Sequence, residues 1–238
     1  MSLTTSPMAT SRPQLNFSEA QSRALLKRLE AEIAKRQAET RLTRYAPYAK
    51  QLAFHAAGLT HRERLLMAAN QVGKTIAGGA EVAFHVTGQY PDWWPGRRFN
   101  RPTKWWCASV TSDATRDNVQ AKLIGPPESE ALAGTGFVPK TALLDTTKAQ
   151  GTPNLLDSAL VRHISGGTST IGFKSYSQGR EKWQGPTLDG VWFDEEPPMD
   201  LYMEGLTRTN AVPDSLIMLT FTPLLGASDV VNMFLENA

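Results

Sequence analysis

One eight-residue stretch restricts the fold of this chain more than any other. Ala68-Ala69-Asn70-Gln71-Val72-Gly73-Lys74-Thr75 has the form G-x-x-x-x-G-K-[ST], with alanine in place of the first glycine. Before it lies an apolar run, Arg64-Leu65-Leu66-Met67-Ala68-Ala69, and after it a segment with helical patterning from Lys74 to about Val86. A strand, a tight turn and a helix in that order form a cradle for a polyphosphate. Backbone amides of Ala69, Asn70, Gln71, Val72 and Gly73 face the anion, and Gly73 allows the close approach that starts the helix. The helix N-terminus adds positive potential. Lys74 supplies a mobile point charge for the β- and γ-phosphates, and Thr75 offers a hydroxyl to Mg²⁺. Alanine at position 68 implies backbone that needs no positive φ there.

A second apolar run, Leu188-Asp189-Gly190-Val191-Trp192-Phe193, ends in Asp194-Glu195-Glu196, about 120 residues beyond Lys74. A buried strand ending in Asp places a carboxylate where it holds Mg²⁺ through its water shell, the role expected of Asp194. Glu195 then orients and polarises the attacking water. At the carboxyl edge of a parallel sheet the two groups lie beside the phosphate loop. Glutamate directly after the aspartate fits the ATPases that insert an additional strand between the two nucleotide-site strands. Lys104–Val110 is available for that inserted position. No Asn-Lys-x-Asp guanine-reading motif is visible, so the expected nucleotide is ATP with Mg²⁺.

The rest of the chain supports an α/β fold with a mostly parallel central sheet flanked by helices. Ser18 and Gln21 predict a capping box opening a helix to about Thr40, with Leu25, Leu26, Leu29 and Ile33 on one face. A helix is expected over 49–57, stopped by Gly58, and another over 112–123 with Ser112 as its cap. Gly88–Asn100 reads as a loop, and 159–164 with 168–176 as a hairpin turning at Ser165-Gly166-Gly167. Ser215–Phe221 is a further apolar strand, while residues 125–153 carry no clear pattern. Hydrophobic residues at 41% and charged residues at 20% are globular proportions. One cysteine excludes a disulfide framework, and no apolar run is long enough to cross a bilayer. A soluble protein of a reducing compartment is therefore expected. The net charge of +2 does not by itself indicate a nucleic-acid partner.

With these motifs in place, residues 45–225 resemble the ATPase half of a large terminase subunit of tailed bacteriophages, the motor that drives viral DNA into an empty capsid. Tyr45-Ala46-Pro47-Tyr48-Ala49-Lys50-Gln51 is similar to that family's adenine-binding segment. The resemblance implies that Gln51 reads the adenine edge and that Tyr48 packs on the base. Gly88-Gln89-Tyr90-Pro91-Asp92-Trp93-Trp94 resembles the loop that follows the phosphate-loop helix. In Ser175-Tyr176-Ser177-Gln178-Gly179-Arg180 the resemblance makes Arg180 the candidate arginine finger, with Lys182 second. Thr220-Phe221-Thr222-Pro223 looks like the coupling motif, in which Thr220 and Thr222 sense the γ-phosphate. Two departures stand out. Asn70 or Gln71 occupies the place where the family often carries an arginine. Beyond Thr222 the only acidic residues are Asp229 and Glu236, too few for the family's nuclease site, so nuclease activity is not expected from this chain.

The resemblance implies three segments: a mobile tail and N-terminal helix (1–44), an ATPase domain (45–226), and the start of a linker to an absent nuclease domain (227–238). It implies double-stranded DNA, the capsid portal protein and the small terminase subunit as partners. A homo-oligomeric ring is expected when active and a monomer when isolated, in the host cytoplasm and without a membrane. DNA contact through Arg97, Arg98, Arg101 and Lys104 is one reading of those basic loops, and solvation is the other. Two alternatives remain at this level: the first lobe of a DNA helicase, and a nucleotide-gated DNA-binding or assembly module without turnover.

Overall fold

A computed structural model describes residues 18–38, 40–224, 226 and 228–236. The chain divides into two units, residues 1–39 and 40–238. In the first, helix α1 (Glu19–Ala38) opens on the expected capping box. The Ser18 N–H donates to Gln21 Oε1 at 2.9 Å and the Gln21 N–H to Ser18 Oγ at 3.3 Å. Leu25, Leu26 and Leu29 are exposed. The tail expected to be mobile, residues 1–15, and the side chain of Ile33 lie outside the described residues.

The second unit is a seven-stranded sheet between helices. Helix α2 (Ala49–Ala57) precedes β1 (Glu63–Met67), and α3 (Lys74–Thr87) follows it. Next come β2 (Lys104–Ser109) and a helical passage of α4 (Ser112–Ala114), a π-helical stretch (Thr115–Gln120) and α5 (Ala121–Leu123). Then follow β3 (Leu143–Lys148), β4 (Leu156–Arg162), β5 (Thr168–Ser175), β6 (Gly190–Asp194), α6 (Met199–Thr209), β7 (Leu216–Phe221) and α7 (Asp229–Glu236). The strand order is β1-β7-β6-β2-β5-β4-β3. The first five are parallel, and the β3–β4–β5 meander is antiparallel.

This order corrects one expectation. The strand between the two nucleotide-site strands β1 and β6 is β7, whereas β2 pairs with the far side of β6. Local apolarity marks both as buried strands, but the order across the sheet follows from non-local pairing. All six residues of β7 are buried, as a strand covered on both faces requires. The cap of the 112–123 passage also shifts by one residue, because Thr111 rather than Ser112 accepts the Ala114 N–H. Within the 227–238 segment, Asp229–Glu236 form α7, whose Val230 and Val231 are buried.

Strand alternation sends successive side chains to opposite faces. Leu216 and Met218 of β7 join Phe84, Trp105, Phe173 and Trp192 in the core beneath α3. Ile217, Leu219 and Phe221 join Trp183, Phe193, Leu201 and Tyr202 in the core beneath α6 and α7. The helices that follow β1 and β7 therefore lie on opposite faces, which opens a crevice at the carboxyl ends of those neighbouring strands.

Candidate nucleotide site

The crevice holds the phosphate loop. β1 ends at Met67, and Gly73 with φ +85° starts α3, a left-handed conformation that glycine adopts without steric cost. The other positive φ in the loop falls on Gln71 at +62°, and none falls on Ala68. A Cβ at position 73 would stand 2.8 Å from Gln51 Nε2.

Lys74 is buried, with Nζ donating to Ala68 O (3.0 Å), Ala69 O (2.8 Å) and Thr222 Oγ1 (2.8 Å). Thr222 Oγ1 in turn lies 3.0 Å from Ala68 O and 2.7 Å from Asn70 Oδ1. The lip of the loop, its lysine and the end of β7 are thus one hydrogen-bonded group.

Asp194 ends β6 with 2% exposure. Its Oδ1 accepts from Thr75 Oγ1 and from Thr220 Oγ1, each at 2.9 Å. Thr220 also accepts from Trp192 Nε1 at 2.8 Å. Burial pushes the Asp194 carboxyl up to about 7, against the opposing pull of the Thr220 and Thr75 hydroxyls. Glu195 raises it further and Lys74 lowers it. The juxtaposed Thr75 hydroxyl and Asp194 carboxylate are hard oxygen donors of the kind that suit Mg²⁺ completed by phosphate and water. Among the described residues no cluster of three or more His, Cys, Asp or Glu forms a separate metal site.

Glu195 follows in a strained backbone conformation, φ +72°. Its N–H donates to Thr220 O at 3.0 Å, and its carbonyl accepts from the Tyr176 hydroxyl at 2.7 Å. Tyr176 also lies 3.2 Å from Asp194 O. Burial, then the carboxylates Asp194, Glu195 and Glu196, hold the Tyr176 phenol well above its ordinary range.

Gln51 is buried against the loop. Its Oε1 accepts the Tyr48 N–H at 2.8 Å and its Nε2 donates to Gly73 O at 2.9 Å, leaving one amide hydrogen for a ligand. Tyr48 is 73% exposed beside it. Arg180 is not joined to this group: its Nε donates to Glu204 Oε2 at 3.1 Å, with its side chain 59% exposed. Arg208 also contacts the buried Glu204 carboxylate, at 3.1 Å.

The structure thus brings Ala69, Asn70, Gly73, Lys74, Thr75, Asp194, Thr220 and Thr222 together, with Gln51 bound to the loop and Glu195 next to Asp194. Gln71 and Val72 are exposed on the loop. Sequence reasoning missed Trp192 and Tyr176. Trp192 lies two residues before Asp194, so strand alternation alone places it on the same face, but its bond to Thr220 depends on β7 being the neighbour. It also missed a buried charge cluster that ties α2, β1 and α3 together. Glu81 of α3 accepts from Arg64 (2.7 Å) and contacts His55 (2.6 Å) and His85 (3.2 Å). Burial opposes ionisation of Glu81, yet Arg64 and the two histidines hold its carboxyl well below the usual range.

Of the four basic residues, Lys104 is exposed at the start of β2, and the three arginines already have partners within the chain. Arg97 bonds Gly58 O and Leu59 O, Arg98 bonds Pro91 O, and Arg101 pairs with Asp189.

Comparison with known proteins identifies the family. The family described as terminase large subunit, T4likevirus-type, N-terminal, matches residues 65–238. The large terminase subunit of Salmonella phage P22 is 44% identical over 239 residues, covering 93% of this chain and 48% of that protein. The chain therefore spans about half the length of that curated relative. In fold it is similar to the large terminase ATPase domain of Thermus phage P74-26 (TM-score 0.52, 23% identity, 76% of this chain and 66% of that one). It is also similar to the large terminase of a second thermophilic bacteriophage, solved in complex with ADP (TM-score 0.50, 14% identity, 78% and 44%). From the matched family and the P22 relative, the chain belongs to the T4likevirus-type terminase large subunits, within their N-terminal part.

Proposed function

We propose that this chain hydrolyses ATP and that its turnover drives double-stranded viral DNA into a procapsid. The observation that carries the reading is a pair of hydrogen-bonded groups set side by side through the adjacent residues Lys74 and Thr75. One ties Lys74 to Thr222 just beyond β7, and the other ties Thr75 to Asp194 of β6 and Thr220 of β7. Lys74 leaves its three protein oxygens and neutralises the β- and γ-phosphates. Thr75 and Asp194 would hold Mg²⁺, which would supply charge neutralisation at the phosphates. Glu195 orients and polarises the attacking water.

Gln51 keeps one donor for the adenine edge, and exposed Tyr48 offers a face for the base. Thr222 loses its lysine when the phosphates arrive, which passes nucleotide occupancy to β7. Arg180 acts on the nucleotide of a neighbouring subunit in a ring, and its pairing with Glu204 fits an isolated subunit that turns over slowly. The portal protein and the small terminase subunit are the partners, in the host cytoplasm. No described helix is long and apolar enough to cross a membrane.

The test is Glu195→Gln in the full-length protein. ATP binding persists while phosphate release and DNA packaging fall by about 10²-fold or more. Unchanged phosphate release would refute the assignment of the base.

A further inference from the structure

We propose that Tyr176 is a positioning residue for the reaction: its hydroxyl clamps the peptide of Glu195 and so aims that carboxylate. The inference rests on Glu195 being the base.

Glu195 holds φ +72°, a conformation that non-glycine residues rarely adopt, so its neighbours must fix it. Two hydrogen bonds do so. The Glu195 N–H is held by Thr220 O of β7, and the Glu195 carbonyl by the Tyr176 hydroxyl. The second bond is long in reach. Tyr176 follows β5, and β2 lies between β5 and β6 in the sheet.

The ring has little freedom to leave. Tyr176 is 8% exposed, with ring centroids 6.3 Å from Trp183 and 6.1 Å from Phe193. One hydroxyl proton serves two carbonyls, Glu195 at 2.7 Å and Asp194 at 3.2 Å. A single donor thus spans the residue proposed to hold the metal and the residue proposed to activate water.

The placement also links two parts of the machinery. Tyr176 opens the short helical turn Tyr176–Gln178, which runs into Arg180–Trp183. The loop that offers Arg180 to a neighbouring subunit therefore also holds the base in aim, and a shift of that loop is felt at Glu195.

Tyr176→Phe in the full-length protein removes the hydroxyl and keeps the ring. The expected result is a fall in kcat of about tenfold or more, since small misplacements of a reacting group carry such losses. ADP affinity and the ATP KM stay within about twofold, separating aim from binding. In the Glu195→Gln background the Tyr176→Phe change costs nothing further, because the two act as a unit. Ser177→Ala, which alters only a contact with Ser175, controls for a disturbed loop and leaves kcat unchanged.

A kcat loss below about tenfold, an equal loss of nucleotide affinity, or the same loss in the Glu195→Gln background would overturn the positioning role. If Tyr176→Phe fails to fold, the hydroxyl is a structural bond and the proposal is likewise overturned. Should Glu195→Gln itself leave turnover intact, the base assignment fails. That outcome is distinct from one in which Glu195→Gln silences the protein and Tyr176→Phe does not.

Discussion

Asp194→Asn should stabilise the nucleotide-free protein while disabling it. Asp194 is 2% exposed, and its Oδ1 accepts two threonine hydroxyls. Among the described residues no lysine or arginine ion-pairs with it, since Lys74 Nζ is bonded to Ala68, Ala69 and Thr222. Burial raises its carboxyl from 3.8 to about 7. Between about pH 4 and 7 the native state therefore keeps a proton that the unfolded chain has lost. Stability falls as pH rises through that window, and the full penalty applies above about 7.

At 1.36 kcal/mol per pKa unit the penalty is on the order of 4 kcal/mol. Local relaxation and water entry reduce it, and a gain of about 2 kcal/mol is expected from removing the charge. For a domain of this size that is about 4–8 °C in Tm. Asparagine keeps an oxygen acceptor for Thr75 and Thr220. The assay is urea and thermal unfolding of parent and variant in EDTA, without nucleotide, at pH 5 and pH 8. The variant should gain most at pH 8 and by about a third as much at pH 5, where only the first part of the window between 3.8 and about 7 has been crossed. Adding Mg²⁺ and ATP at pH 8 should stabilise the parent far more than the variant. A variant no more stable than the parent at pH 8, or a gain of equal size at both pH values, would refute the argument.

Three further outcomes follow from the geometry. Lys74→Ala should weaken ATP binding by about tenfold or more in a fluorescent-nucleotide titration, because one charge-assisted contact to phosphate is removed. Arg64→Met removes the guanidinium from the buried Glu81 carboxylate and leaves it only the two histidines, so urea unfolding should show a loss of about 3 kcal/mol. Gly78→Ala adds a Cβ 2.3 Å from the Trp192 ring. It should cost about 1–3 kcal/mol in unfolding and weaken Mg²⁺-dependent nucleotide binding by displacing the Trp192–Thr220 contact.

Much of this molecule is legible in its residues, and the limits have physical causes. The strand–turn–helix around Lys74, the strand ending at Asp194 and the hairpin at Ser165-Gly166-Gly167 are local patterns, so they can be read in order. The place of β7 is not local: Leu216–Phe221 and Lys104–Ser109 are both apolar runs, and only pairing across the sheet assigns the inserted position. β3 escaped notice because Leu143-Leu144-Asp145-Thr146-Thr147-Lys148 is an edge strand with no buried face to impose alternation. The π-helical stretch 115–120 reads as ordinary helix because hydrophobic spacing hardly distinguishes the two. Tyr176 was visible as a residue, but its role depends on reaching past β2 to a backbone carbonyl, which no side-chain pattern encodes.

The three oxygens that hold the Lys74 ammonium have a consequence for ligand choice. A loop of this kind already has its cation solvated by the protein, so a single small anion offers it little advantage. A tail of several linked anionic groups can replace all three oxygens at once. Under the proposed function the loop would favour polyphosphate, and the chain just beyond β7 would register loading through a bond that is lost rather than through one that is made.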